Sequence, residues 1–186
     1  MSVRDFIGRN YRHFNAGALA QCAESLRGFL SNDGRLMVTL AGAMSTAEIG
    51  RSLAPAIRAQ RVHAICCTGA NLEEDLFNLV ARSSYEDIAD WRELSASDEV
   101  ALRERGMNRV TDVAIPEENA IRAIEKPLMS LWEDAEAADD RRFPHEYLYD
   151  LLLHGELEFD AAPESSWLVA AADANLPIFT PGWEDS

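Results

Sequence analysis

Three short segments hold residue types able to do chemistry, and each directly follows an apolar run. The first, GAMSTAEIG at residues 42–50, sets a glycine turn against the start of a helix. Exposed N–H groups and the positive end of a helix dipole suit a phosphate there. Only Gly42 and Gly50 are glycine, so this is not the GxGxxG fingerprint, and a tight, well-capped strand–helix turn explains it equally. The second, TGANLEED at residues 68–75, offers small residues and then three acids, Glu73, Glu74 and Asp75. Carboxylates in a first helical turn are ordinarily partners of the dipole. Adjacent ones at the carboxyl end of a sheet are also able to receive a ribose hydroxyl or an ammonium group. The third, TPGWEDS at residues 180–186, brings Asp185 as a ribose or cation ligand and Trp183 as a cover or a packing plug.

Other chemistries find no footing. Cys22, Cys66 and Cys67 form no zinc or disulfide framework, and the odd count with two neighbours predicts a reducing compartment. His63 reads as a core or sheet-face residue, and the remaining histidines lack recognisable partners. No GxSxG elbow, HExxH or P-loop occurs. A net charge of −15 argues against binding nucleic acid or an anionic membrane through general electrostatics. The charged N-terminal stretch lacks the apolar core of a signal peptide, and no apolar run approaches a membrane span. A cytoplasmic protein is expected.

The segments require a scaffold. Phe14, Leu19, Leu26, Phe29 and Leu30 recur at helical spacing and predict a helix over residues 1–30 with one apolar face. Residues 35–40 and 62–68 are near-continuous apolar runs, as in parallel strands covered on both faces. Ser45–Glu48 fits a capping box opening a helix to about Gln60, and Asn71 fits a cap with Glu74 three residues on. Gly42 and Gly69 lie 27 residues apart, close to one βαβ unit. Ser97 is expected to cap a short helix stopped by Gly106, and residues 109–115 to form a third strand. Pro116 starts a long helix fraying near 133–140; further helices span 144–153 and 163–174, before a last strand at 178–180. The class is α/β with a mostly parallel sheet, in one domain over residues 1–186. Ligands in such sheets bind beyond the carboxyl ends of the strands, where the three segments lie.

LAGAMSTAEIG (40–50), VHAICCTGANLEEDLFNLVA (62–81), MNRVTDVAIPEEN (107–119) and LPIFTPGWEDS (176–186) together resemble the deoxyhypusine synthase family, in particular its bacterial deoxyhypusine-synthase-like branch. The resemblance implies a Rossmann-like three-layer fold, a tetramer and NAD as cofactor. It implies a reaction that oxidises and cleaves spermidine and passes the aminobutyl group, through an enzyme lysine, to an acceptor amine. That acceptor is a lysine of a protein, or putrescine in related enzymes. By resemblance Ser45, Thr46, Ala47, Glu48 and Ile49 form the first NAD loop, with Thr46 standing where many members have Asn. Thr68, Gly69 and Ala70 form the second NAD loop. Glu73 and Glu74 hold polyamine nitrogens, Glu74 also reaching the cofactor, and Asp185 contacts NAD.

The family's pattern continues beyond Ser186, through a His-containing glycine-rich segment to the catalytic lysine beside a tryptophan. No catalytic residue of the family therefore falls in this chain, and Lys126, the single lysine, is expected in a helix. The domain is expected to be incomplete at its C-terminus and inactive alone, as a fragment or as a subunit completed by a second chain. Two alternatives stand beside the transferase: a non-catalytic NAD- or polyamine-binding paralogue, and a sirtuin-like NAD enzyme. The second lacks the histidine setting and four-cysteine zinc site that sirtuins need.

Overall fold

The computed structural model describes residues 1–155 and 157–183. The chain divides into two compact units, Met1–Leu36 and Met37–Ser186.

The first unit holds α1 (Val3–Asn10) and α2 (Phe14–Ser31), so the expected single helix is broken at residues 11–13. Ser2 caps α1: its hydroxyl accepts from the Asp5 N–H, and Asp5 accepts from the Ser2 N–H. On α2 only Gly17 is buried. Phe14, Leu19, Leu26 and Phe29 are exposed.

The second unit is built on a parallel sheet of β1 (Met37–Leu40), β2 (Ala64–Cys67) and β6 (Ile178–Phe179), in the order β1-β2-β6. Val38 pairs with Ile65 and Ile65 with Ile178, so these three share one face. That face meets the core: Ile65 and Ile178 are buried, together with Leu53, Ile57, Leu72, Leu76 and Leu168. These last come from α3 (Gly50–Arg58), α4 (Gly69–Ala81) and α8 (Trp167–Asp173). The α/β architecture with a parallel sheet agrees with the Rossmann-like class.

Several local expectations are corrected. Ser45 does not cap α3, because its side chain is buried and bonded elsewhere and Glu48 adopts φ +56°, which interrupts helical geometry. Asn71 does not cap α4: its amide bonds Gly42 and Thr68, and the helix begins earlier, with Thr68 as N-cap. Ser95, not Ser97, caps α5 (Ala96–Glu104). Residues 109–115 are not one strand of the parallel sheet. Thr111, at φ +54°, reverses the chain between β4 (Met107–Val110) and β5 (Val113–Pro116). These pair antiparallel, with β3 (Glu86–Asp87) on the other side of β5, in a separate sheet. Leu102, Met107 and Ala114 pack beneath it with Ile88 and Leu94.

After Pro116 the backbone makes a π-helical turn, Glu117–Arg122, before α6 (Ala123–Ala137). Next comes α7 (Pro144–His154). The expected helix 163–174 is split. Pro163–Ser165 is a 3-10 turn, and Ser166 then caps α8 by accepting from the Val169 N–H. Among the described residues no helix is long and apolar enough to cross a membrane.

Candidate functional site

The loops after β1 and β2 meet through a network centred on Asn71. Its Nδ2 donates to Gly42 O (2.7 Å) and to Thr68 Oγ1 (2.7 Å), and its Oδ1 accepts from the Met44 N–H (3.1 Å). Thr68 Oγ1 donates to the same Gly42 carbonyl at 2.9 Å. Ser45, fully buried, donates from Oγ to Asn71 O at 2.6 Å and accepts from Trp167 Nε1 at 2.9 Å. Asn78 Nδ2 donates to Ser45 O at 2.6 Å. The two Ser45 Oγ bonds are buried, with little water to compete with them, and the bonds of Asn71 and Asn78 are partly buried.

Glu74 lies in the same junction. Its Oε2 accepts from the Thr46 N–H at 3.2 Å. Burial raises the Glu74 pKa, opposed by Thr46. Glu73 precedes it at the exposed surface, and lost hydration, then the neighbouring Glu74 charge, raises its pKa also. Thr46 Oγ1 is buried beside Glu74 and makes no hydrogen bond of good geometry among the described residues. Beside Gly42, at φ +62°, the space is open where a side chain would stand. A backbone carbonyl turn, a buried hydroxyl and two carboxylates of raised pKa thus share one sheet end.

Asp75 faces a different task. It is almost wholly buried, accepting from Ser166 Oγ at 2.5 Å and the Leu168 N–H at 3.0 Å. Burial pushes its pKa up to about 6 against the pull of those donors. It holds the start of α8, where the first N–H groups have no helical partner.

The structure brings Ser45, Thr46, Thr68 and Glu74 into this one network. Gly69 is buried and Ala70 half-buried in the first turn of α4. Ala47 is exposed and Ile49 half-buried. Glu48 is engaged by Arg82 Nε (2.7 Å) and Arg51 Nη1 (2.9 Å), and Arg82 first, then Arg51, holds its carboxyl below the usual range. Asp185 lies outside the described residues. His63 stands just before β2, half-buried.

A cleft of about 250 Å³ opens between α3, α4 and residues 161–166. Glu48, Asp75, Asn78, Arg82 and Ser165 line it, and Thr68–Ala70 do not. Sequence reading missed Asn78, Arg82 and Trp167. For the first two a signal existed: Glu74, Asn78 and Arg82 recur every four residues, the spacing of one helical face. Trp167 carried none, since its partner Ser45 is 122 residues away.

Comparison with known proteins gives a consistent answer. The sequence model described as "DS: Deoxyhypusine synthase" matches residues 9–186. A Methanosarcina mazei protein named "Probable deoxyhypusine synthase 2" is 31% identical over 174 residues, covering 93% of this chain and 47% of that protein. One from Archaeoglobus fulgidus, "Probable deoxyhypusine synthase 1", is 27% identical over 175 residues, 93% of this chain and 52% of its own length. One from Halobacterium salinarum, "Probable deoxyhypusine synthase", is 26% identical over 173 residues, 93% of this chain and 48% of its own. The chain spans about half the length of the curated relatives it matches.

Proposed function

This chain belongs to the deoxyhypusine synthase family, and on that premise we propose that it forms the first half of the active site of an NAD-dependent aminobutyl transferase acting on spermidine or a related polyamine. The observation that carries the reading is the junction of Thr46 with Glu74, where the loop after β1 meets the helix after β2. This is the crevice at the carboxyl ends of parallel strands.

The residues present suit a dinucleotide. Thr46 Oγ1, buried and without a well-aligned hydrogen bond among the described residues, and Glu74 beside it offer a hydroxyl and a carboxylate to a ribose. The open space at Gly42 lets a ligand approach the backbone closely. Ser45–Ile49 and Thr68–Ala70 would flank the cofactor, with Asp185 as a further contact. When bound, NAD supplies the acceptor for a hydride from the carbon next to an amine nitrogen. Glu73 and Glu74 hold the cationic nitrogens and so orient that carbon. An ammonium group near them favours their ionised forms and offsets the effect of burial.

The lysine that carries the aminobutyl group comes from the second half of the family's length, in the same subunit or another. Lys126 is exposed on α6 and does not serve. The assembly is a homo-oligomer, a tetramer by family likeness, or a pair with a complementing chain. The acceptor is a protein lysine or a small amine such as putrescine. A second reading is a non-catalytic subunit that binds NAD or polyamine and regulates a partner.

Calorimetric titration with NAD tests both. Heat from the unaltered chain, weakened about tenfold or more in Glu74→Ala, supports a cofactor site here. Absence of heat in both removes the cofactor claim for this chain. Turnover by the chain alone, given NAD, spermidine and putrescine, would overturn the assignment of the lysine to another segment.

A further inference from the structure

Asn71 is fully buried in the first turn of α4, and its side chain bonds the loops after β1 and β2 together. A carboxamide carries two N–H groups and an acceptor oxygen, and here all three are engaged. Nδ2 reaches Gly42 O and Thr68 Oγ1, each at 2.7 Å, and Oδ1 takes the Met44 N–H at 3.1 Å. That N–H fixes the orientation of the amide, because a flipped amide would set N–H against N–H. Gly42 O accepts a second bond from Thr68 Oγ1 at 2.9 Å, which closes a ring of three groups. Aspartate or leucine has a similar shape and lacks the donors, so neither could make this ring.

The bonds fall where the loop has most freedom. Gly42 stands at φ +62°, and glycine has the widest choice of backbone conformations. Asn71 fastens the carbonyl of Gly42 and the N–H of Met44, and so holds the two peptide units on either side of Ala43. We infer that Asn71 is a positioning residue: its amide sets the separation of the two loops before any ligand arrives, so that a dinucleotide meets a crevice already in shape. It acts through the loops and not by touching the cofactor, since its polar side-chain groups are taken by protein partners. A loop that must be ordered on binding lowers affinity, and one ordered beforehand does not. The inference rests on the proposed function, because that reading supplies NAD.

Hydrogen exchange followed by NMR separates a local role from a general one. The Met44 N–H, bonded to Asn71 Oδ1, is compared with the Ile65 N–H, bonded to Pro177 O in the core sheet. In the unaltered chain Met44 should exchange about a hundredfold or more slower than an unstructured amide. Free exchange there overturns the inference, whether or not any variant folds. Asn71→Ala, checked for its fold by circular dichroism, should speed exchange at Met44 about tenfold or more and leave Ile65 unchanged. It should also weaken NAD binding about tenfold by calorimetry. Equal acceleration at Met44 and Ile65 would make Asn71 a support of the whole fold and overturns the inference. A freed Met44 with undiminished NAD affinity overturns it also, and leaves the proposed function standing. Absence of NAD heat from the unaltered chain removes the proposed function, and the exchange rates then decide by themselves whether Asn71 holds the loops.

Discussion

The main-chain N–H of Thr46 donates to Glu74 Oε2 at 3.2 Å, joining the loop after β1 to the helix after β2. The contact makes one carboxylate both a fastener of the loop and a candidate ligand for the cofactor and the amine. Glu74→Gln keeps an acceptor oxygen and removes the charge. It should leave the fold intact by circular dichroism while weakening spermidine binding about tenfold, read by calorimetry.

Partial loss of hydration raises the pKa of both Glu73 and Glu74, although only Glu74 is buried. Binding of a cationic amine needs them ionised. Spermidine affinity should therefore fall as pH drops through their raised pKa values, starting above the usual glutamate range of about 4.3. Titrations between pH 7 and pH 4 check this; affinity unchanged down to the ordinary range would separate these carboxylates from the amine.

Asp75 carries a pH dependence of the fold itself. Its native pKa of about 6 lies above the unperturbed 3.8, so the folded state binds the proton more tightly than the unfolded chain. Its contribution is fully present below pH 4 and is lost as pH rises through about 6. Asp75→Asn keeps an acceptor for Ser166 and Leu168 and cannot ionise. Relative to Asp75→Asn, the unaltered chain should lose roughly 2 kcal/mol between pH 4 and pH 7, measured by urea unfolding. Asp75→Ala, which leaves both donors unpaired, should cost about 2–4 kcal/mol.

Trp167, fully buried, reaches Ser45 Oγ through its indole N–H. Ser45→Ala and Trp167→Phe each remove that bond, so their costs should not add. A double-mutant cycle should give a coupling of about 1 kcal/mol. Additive costs would mean that the bond contributes little to holding the loop.

Gly50 opens α3 where a Cβ would stand 2.2 Å from Ser165 O. The obstacle is backbone, and Arg58 fastens the same stretch by donating to Pro163 O and Glu164 O. Gly50→Ala should cost about 1–3 kcal/mol, the usual penalty of overpacking, and lower Tm accordingly.

Local chemistry was enough to determine the class and the succession of strand, turn and helix around β1 and β2. The apolar runs around Val38 and Ile65, each followed by small residues and a helical pattern, define strand, turn and helix without any distant partner, because apolar periodicity is itself a local quantity. The acids Glu73, Glu74 and Asp75 were visible for the same reason. Their division of labour was not. Asp75 holds Ser166, 91 residues away, and Glu74 holds Thr46, 28 residues away. The hydroxyl of Ser45 looked like a cap because its sequence neighbours fit the pattern. Only tertiary packing could withdraw it, by burying it against Asn71 and Trp167, where bonds to those groups replace the solvent a cap would otherwise face. Residues 109–115 likewise alternate as a strand should. The left-handed turn at Thr111 is selected by pairing on both sides of it, which no single strand's pattern encodes.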